Sequence, residues 1–550
     1  MEGKTAASKK SIRHSQSVCD GEQEYVKKRK QIILESLNSL EINCSADSVP
    51  HIALLASGGG QRAAVSVVGS LYQMEKDGLL NSVLYLGGVS GSTWSMSSLY
   101  SDPQWSVDMD RAVSKLMNAE VELGEVIAWL AERAKEENFS LTDIWGVLTS
   151  ARVMKQMDLR RLSEESSRDA TNPYPIYCAI EKYIEEATEG KWFEFSPHEA
   201  GFTELGLFIK TSLLGSKFQS GELLEEKLEM DMVKLQGICG SALAEFKMIM
   251  KHFFPCETSL SGFENEEYLH VYEALQSVVA LTRSTIKDPS ALSDLDKLQK
   301  LLEEADMEHC NKFTVLMKSK SLLENQSYCR QCSLKLFKVV KSWSQTLSMG
   351  SLEILQSVIF LTEKVLPLIA KWEWGTSHNF LYQYQDSSDP PCIYTKEKLH
   401  LEDAGLLMNV PYPPFLGDKR DIDLIIAPDY SAGNIFETLT LARDYADKLG
   451  KPFPKIDEKI LEEREWPKGC YVFEGKDKEP TIVYLPLFNR DNCKDAEQVK
   501  AKMSEFSTFQ LPYNKEQIES LFDTSKENME RNKETLLREI NKAALRRRDS

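Results

Sequence analysis

The chain has 550 residues, enough for a large buried core, and carries 84 acidic against 66 basic side chains for a formal net charge of -18. A molecule so charged repels nucleic acid and anionic lipid as a whole, so nucleic acid is excluded as a partner and any contact with an anionic surface must be local. The 11 cysteines are scattered without the spacing of a disulfide framework, and no apolar stretch of signal-peptide type opens the sequence, which together point to a reduced, cytosolic protein.

Residues 1–22 are polar and aperiodic and are expected to form a flexible arm. A helix is predicted through "EYVKKRKQIILESLNSLEI", with Val26, Ile32, Ile33, Leu37 and Leu40 on one side. The pattern then changes to a strand over Ile52–Ala56, a glycine turn and a helix that stops near Gly78, the start of an α/β layer. A second short core strand is predicted at Val83–Leu86, where β-branched, aromatic and apolar residues run into a group of glycines.

From Glu222 to Ala370 the sequence reads as mostly helical and rich in charge, a helical insertion or cap. Within it Leu292, Leu295, Leu298 and Leu302 make one stripe behind an Asp288-Pro289 start signal. Cys329 and Cys332 in "CRQC" have no second pair at zinc-site spacing, and read as two thiols on a helix. Ser351–Ala370 is the most membrane-like segment, but Glu353, Glu363, Lys364 and Pro367 break its apolar runs far below the ~18 residues that span a bilayer, so a core-facing helix is expected. Strand signals return at residues 421–428 and 481–488, and residues 536–550 read as a basic helical tail.

Two glycine turns carry the chemistry. In "GGVSGSTW" a serine sits on a sharp strand-to-helix turn, the arrangement that lifts a nucleophilic hydroxyl clear of a sheet. The serine is Ser90; Gly88 lies two before it and Ser92 two after, where a glycine is usual. Upstream, "SGGGQRA" places Gly59 and Gly60 where backbone amides at a helix start can hold a developing oxyanion, with Arg62 as a nearby cation. A phosphate-binding turn is physically related, but the GK[ST] ending and the G-x-G-x-x-G spacing are both absent.

"LASGGGQRA" followed by "GVSGSTW" resembles the group IV cytosolic phospholipase A2 family. The resemblance extends to "PYPIY", "WFEFSPHEAGF", "GSKF", "GICGSALA", "KWEWGTSHNFLY" and "DAGLLMNVPYPP". Because the first strand opens at Ile52, the nearest type is expected to be the one without a calcium-binding β-sandwich. The resemblance implies a patatin-like three-layer α/β fold with a central mixed sheet, helices on both faces and the cap insertion. It also implies one catalytic domain over 23–535 with the cap at 222–370.

By the same resemblance Ser90 and Asp403 are a catalytic dyad, Gly59 and Gly60 the oxyanion hole, and Arg62 the phosphate-binding arginine, with no metal and no cofactor. Asp403 would not be chosen from the residues alone, and His198, His378 and His400 stay open as members of a triad. A carboxylate lies on the order of ten pKa units below an alcohol, roughly 14 kcal/mol, so proton transfer must accompany attack and is helped by apolar surroundings that raise the acid's pKa. The expected reaction is calcium-independent hydrolysis of the sn-2 ester of glycerophospholipids through an acyl-serine, with lysophospholipase action and with transacylation when a lysophospholipid replaces water. The expected partners are a phospholipid membrane surface, met peripherally on intracellular membranes, and glycerophospholipid and lysophospholipid substrates. The chain ends "RRRDS" and not in a prenylation motif, so membrane contact is expected to be weak and salt-sensitive. A noncatalytic lipid-binding protein on the same fold is the alternative from another class.

Overall fold

Every residue of Ile52–Ala56 is buried, as a strand covered on both faces requires, and the sheet grows outward from it. In a computed structural model the described residues are 11–117, 121, 123–136, 139–182, 191–242, 286–316, 334–360, 374–384, 391–508 and 512–549, with isolated positions between 272 and 368. The strands in chain order are β1 (Ile12–His14), β2 (Ile52–Ala56), β3 (Tyr85–Gly88), β4 (Tyr174–Glu181), β5 (Trp192–Phe195), β6 (Glu199–Phe202) and β7 (Leu207–Lys210). They continue with β8 (Lys217–Gln219), β9 (Glu222–Glu225), β10 (Thr376–His378), β11 (Lys398–Asp403), β12 (Leu424–Asp429), β13 (Tyr471–Phe473) and β14 (Thr481–Pro486).

The main sheet runs β1-β7-β6-β5-β4-β3-β2-β12-β14-β13, and β11 pairs with both β4 and β10. Its centre, β4-β3-β2-β12-β14, is parallel. The flanks are antiparallel, so the sheet is mixed as expected. α1 (Asp20–Ser39) precedes β2, and crossover helices follow the central strands: α2 (Gln61–Lys76) joins β2 to β3, and α3 (Gly91–Leu99) leaves β3.

Four sequence readings change. Residues 12–14 pair with β7 and α1 starts at Asp20, so the described part of the expected arm is an ordered sheet edge; Arg13 Nε bonds Glu199 at 2.9 Å. Glu222–Glu225, read as helix, is a strand hairpinned to β8, because Ser220 and Gly221 both take positive φ (53° and 86°), the turn geometry that suits a two-residue hairpin. Residues 533–549 form a helix that buries Leu536, Ile540, Ala543 and Ala544 and is no free tail. Its arginines bind within the molecule: Arg546 donates to the carbonyls of Gly475 and Glu479, and Arg547 pairs with Asp423 at 2.7 Å and Asp421 at 2.5 Å. Finally, β3 begins two residues later than predicted, at Tyr85.

The chain divides into two compact units, one of Met1–Val121, Thr149–Leu243 and Gly375–Ser550, the other of Glu122–Leu148 and Ala244–Trp374. The second takes most of the insertion expected over 222–370, but Glu222–Cys239 belongs to the first. In the second unit the helix Pro289–Leu316 buries Leu295, Leu298 and Leu302, and Asp294 accepts a bond from Trp343 Nε1 at 2.8 Å. Arg133 and Asp143 pair there at 2.7 Å, both buried. Leu355, from the membrane-like segment, is buried, and among the described residues no helix is long and apolar enough to cross a membrane. Cys329, Cys332, Leu366 and Ile369 lie outside the described residues.

A fully buried ionic cluster ties α1 to the sheet. Arg420 pairs with Glu22 at 2.8 Å and with Glu194 at 2.7 Å, Lys419 adds a second contact to Glu194 at 2.7 Å, and Tyr85 donates to Glu22. Burial alone raises a carboxyl, but the Arg420 and Lys419 charges hold Glu194 down at about 2. A depressed pKa stabilises the fold above the ordinary carboxylate range and loses that contribution as pH falls towards 2. Replacing Arg420 by Leu strands the buried Glu22 carboxylate and leaves Glu194 with Lys419 alone, and urea unfolding at neutral pH is expected to show a loss of about 3–5 kcal/mol. Glu24→Ala, at an exposed pair with Lys28, is expected to leave the midpoint in place.

Candidate active site

The two glycine turns leave the same end of adjacent parallel strands, one after β2 and one after β3. Ser90 has φ 53° and ψ -129°, a left-handed conformation that an L side chain adopts only under constraint, and it is the residue on which α3 starts. The constraint is visible next door. A Cβ at Gly91 would stand 1.9 Å from the Gly60 carbonyl oxygen, so only glycine lets the two turns meet. Ser92, standing where a glycine is usual, donates from Oγ to the Ser57 carbonyl at 2.6 Å and so binds one turn to the other.

In the upstream turn Gly59 and Gly60 take φ of 147° and 59°, backbone that favours glycine, and Gly60 precedes the first residue of α2. Among the described residues nothing accepts from the Gly59 and Gly60 amides, which therefore remain as donors at the positive end of a helix. Gly58, just before them, donates to the Asn409 carbonyl at 2.9 Å.

Asp403 ends β11 and is wholly buried. Its two carboxylate oxygens accept from the backbone amides of Gly405 (2.8 Å) and Ala242 (3.0 Å), and its own amide donates to Ser241 Oγ at 3.1 Å. Burial pushes the acid up to about 6, while the two amides and a hydrogen bond from the Ser90 hydroxyl pull it down and the neighbouring Glu402 charge lifts it. The Ser90 hydroxyl is thus close enough to act on the Asp403 carboxyl, although the two lie 313 positions apart in the chain.

Arg62 departs from its expected setting. It is fully buried, with Nε donating to the Tyr430 carbonyl at 2.7 Å and Nη1 to the Phe506 carbonyl at 2.6 Å. Only Nη2 is left, buried and unpartnered among the described residues, 3.0 Å from where a Cβ on Gly59 would lie. The side chain is first a brace for the glycine turn, with one donor to spare.

No histidine is found among the described partners of Ser90 or Asp403. His198 Nδ1 bonds the Tyr174 hydroxyl at 2.8 Å, His400 faces Thr376, and His378 lies on β10. Among the described residues no group of acidic, histidine and cysteine side chains could hold a metal ion. Sequence reasoning passed over Ser241, Ala242 and Asn409. All three lie in segments already quoted for their resemblance, "GICGSALA" and "DAGLLMNVPYPP", but nothing local marks a serine hydroxyl or an alanine amide as the support of an acid far along the chain. Asn409 links three loops: its carbonyl takes the Gly58 amide, its Nδ2 donates to Ser431 at 2.7 Å, and its Oδ1 abuts Gly58 and Gly405.

The lysophospholipase catalytic domain family matches residues 52–279. The chain is 32% identical to cytosolic phospholipase A2 gamma of Mus musculus over 556 residues, covering 96% of this chain and 91% of that protein. The Homo sapiens protein of that name is 32% identical over 531 residues, with 94% and 93% covered. Cytosolic phospholipase A2 zeta of Mus musculus is 30% identical over 576 residues, with 97% of this chain and 62% of that protein covered. Among solved structures, human GIVD cytosolic phospholipase A2 superposes with a TM-score of 0.67 at 22% identity, covering 98% of this chain and 69% of the other. That likeness shows the patatin-like α/β fold expected from the sequence.

The buried acid makes a prediction about stability. A carboxyl raised to about 6 when folded stabilises the protein below its unfolded value near ~3.9, and that contribution is lost as pH rises through 6. Asp403→Asn, which cannot ionise, is therefore expected to gain about 2 kcal/mol on the parent chain between pH 4.5 and pH 7.5. Urea unfolding of both chains at the two pH values checks this as a difference of differences, free of any constant loss from the amide.

Proposed function

The chain belongs to the cytosolic phospholipase A2 family, and we propose that it is a phospholipase A2 in which Ser90 and Asp403 carry out calcium-independent hydrolysis of glycerophospholipid esters. The observation that carries this reading is a strained serine at a strand-to-helix turn beside a wholly buried carboxylate whose pKa burial has raised to about 6 and the serine hydroxyl lowers. That shift narrows the gap between base and alcohol by about 2 units, or ~3 kcal/mol.

Asp403 takes the hydroxyl proton as Ser90 Oγ attacks the sn-2 ester carbonyl carbon. The amides of Gly59 and Gly60 hold the tetrahedral oxyanion, and the spare Nη2 of Arg62 is one further donor for a substrate oxygen beside them. The proton passes from Asp403 to the departing lysophospholipid alkoxide, leaving an acyl-Ser90. Water, deprotonated by Asp403 in turn, releases the fatty acid; a lysophospholipid hydroxyl in place of water gives transacylation. The protein works from the cytosol on membrane lipid that it meets peripherally. Leu406, three residues from Asp403 and 57% exposed, gives the rim of the site an apolar contact with that surface.

Ser90→Ala and Asp403→Ala are each expected to reduce fatty-acid release from doubly labelled phosphatidylcholine vesicles by several orders of magnitude with far-UV circular dichroism unchanged. Near-normal turnover by either variant defeats the assignment. The parent chain is expected to keep its activity in a calcium chelator, and its kcat/KM to fall about tenfold per pH unit below 6 as the base is protonated. Leu406→Asp is expected to slow vesicle hydrolysis while leaving a monomeric soluble ester unaffected, read as the ratio of the two rates.

A further inference from the structure

β3 has Ser90 beyond its far end and Tyr85 at its start, and a second pocket opens beside Tyr85, at the other edge of the parallel strands. Its volume is about 580 Å3, in the range of small-molecule sites. Val26 and Leu34 of α1 give it an apolar wall, Lys27 and Lys30 stand on the same helix, and His51 faces them from ahead of β2.

The charges of this pocket do not cancel. Lys419 and Arg420 are matched by Glu194 and Glu22, and Asp421 is matched by Arg547. Of the lining charges this leaves Lys27 and Lys30, which have no ion-pair partner among the described residues, against Asp47 at the exposed rim. Burial and the Arg547 charge press the Lys30 ammonium down against partial support from Asp423 and Asp421, and an anion in the pocket would relieve it further.

His51 adds a second demand. Its Nδ1 lies 2.9 Å from the Arg420 carbonyl oxygen, which can only accept, so Nδ1 carries the proton. Burial, with the charges of Arg547 and Lys30, lowers the ring to about 3 and keeps it neutral. Nε2 is therefore a bare acceptor, and it is buried without a partner.

An anion for two lysines, a hydroxyl for an imidazole nitrogen and a chain for an apolar wall belong together in one class of molecule. An ionised fatty acid meets the first and third demands but has no proton to donate. A diacyl phospholipid has lost its backbone hydroxyl to the second ester, and any hydroxyl of a polyol head group lies on the far side of the phosphate from the chains. We propose that this pocket binds a lysophospholipid, with its phosphate on Lys27 and Lys30, its free hydroxyl donating to His51 Nε2, its chain along Val26 and Leu34, and a head-group ammonium towards Asp47. The site is separate from the one that holds Ser90, and it stands whether or not Ser90 is the nucleophile.

The test uses the full chain and an ether-linked lysophosphatidylcholine with a diazirine in its alkyl chain, which no esterase can consume, followed by peptide mapping. Label is expected on α1 between Val26 and Leu34, displaced by unlabelled lysophosphatidylcholine and poorly by oleate or inorganic phosphate. Lys27→Glu with Lys30→Glu is expected to cut α1 labelling about tenfold while labelling around Ser90 and the thermal midpoint hold. His51→Leu is expected to abolish the preference for lysophosphatidylcholine over oleate. Absence of label on α1, indifference to the charge reversal, or displacement by inorganic phosphate as effective as by the lysolipid would overturn the proposal, whatever is found around Ser90.

Discussion

Everything at the candidate active site depends on how closely two helix-opening turns approach each other. The Gly60 carbonyl occupies the space that any side chain at residue 91 would need, and the Ser92 hydroxyl closes the seam by bonding to Ser57. This apposition holds Ser90 at a backbone conformation that a free peptide would abandon, and it aims two sets of helix-terminal amides at one small volume. The parallel pairing of β2 with β3 makes it possible, since only neighbouring strands running the same way can end side by side.

A rigid pair of turns still needs a base. The carboxylate of Asp403 is held by backbone amides from two separate loops and, among the described residues, by no cation. That choice of partners matters: a guanidinium would have driven the pKa down, whereas amides satisfy the oxygens and leave burial to set the balance near neutrality. Arg62, the nearby cation, spends Nε and Nη1 on main-chain carbonyls that lock the glycine turn and keeps only Nη2 beside Gly59. Among the described residues positive charge is kept off the acid, and structure is gained from the arginine.

What the amino-acid sequence made legible follows from locality. β2, the turn at Gly58–Gly60, α2 and the bend at Ser90 are each specified by neighbours within a few positions, and each was readable from hydrophobic runs and glycines. Asp403 was not. Its supports come from Ser241 and Ala242, more than 160 positions away, and a burial-driven shift leaves no local pattern. The hairpin at Ser220–Gly221 was hidden by a run of Leu and Glu that suits a helix equally well, and only the two positive φ angles decide it. The terminal segments were misread for a related reason. Charge-rich stretches look solvated until their partners are known, and the partners of Arg13, Arg546 and Arg547 lie far off along the chain.

The long reach of Arg62 has a temporal corollary. Nη1 closes on the carbonyl of Phe506, a residue 444 positions later, and β2 gains its neighbour β12 only once residue 424 and those after it exist. A ribosome delivers the glycine turn 444 residues before its brace, so the nascent chain must carry the turn over that span without the contact that locks it.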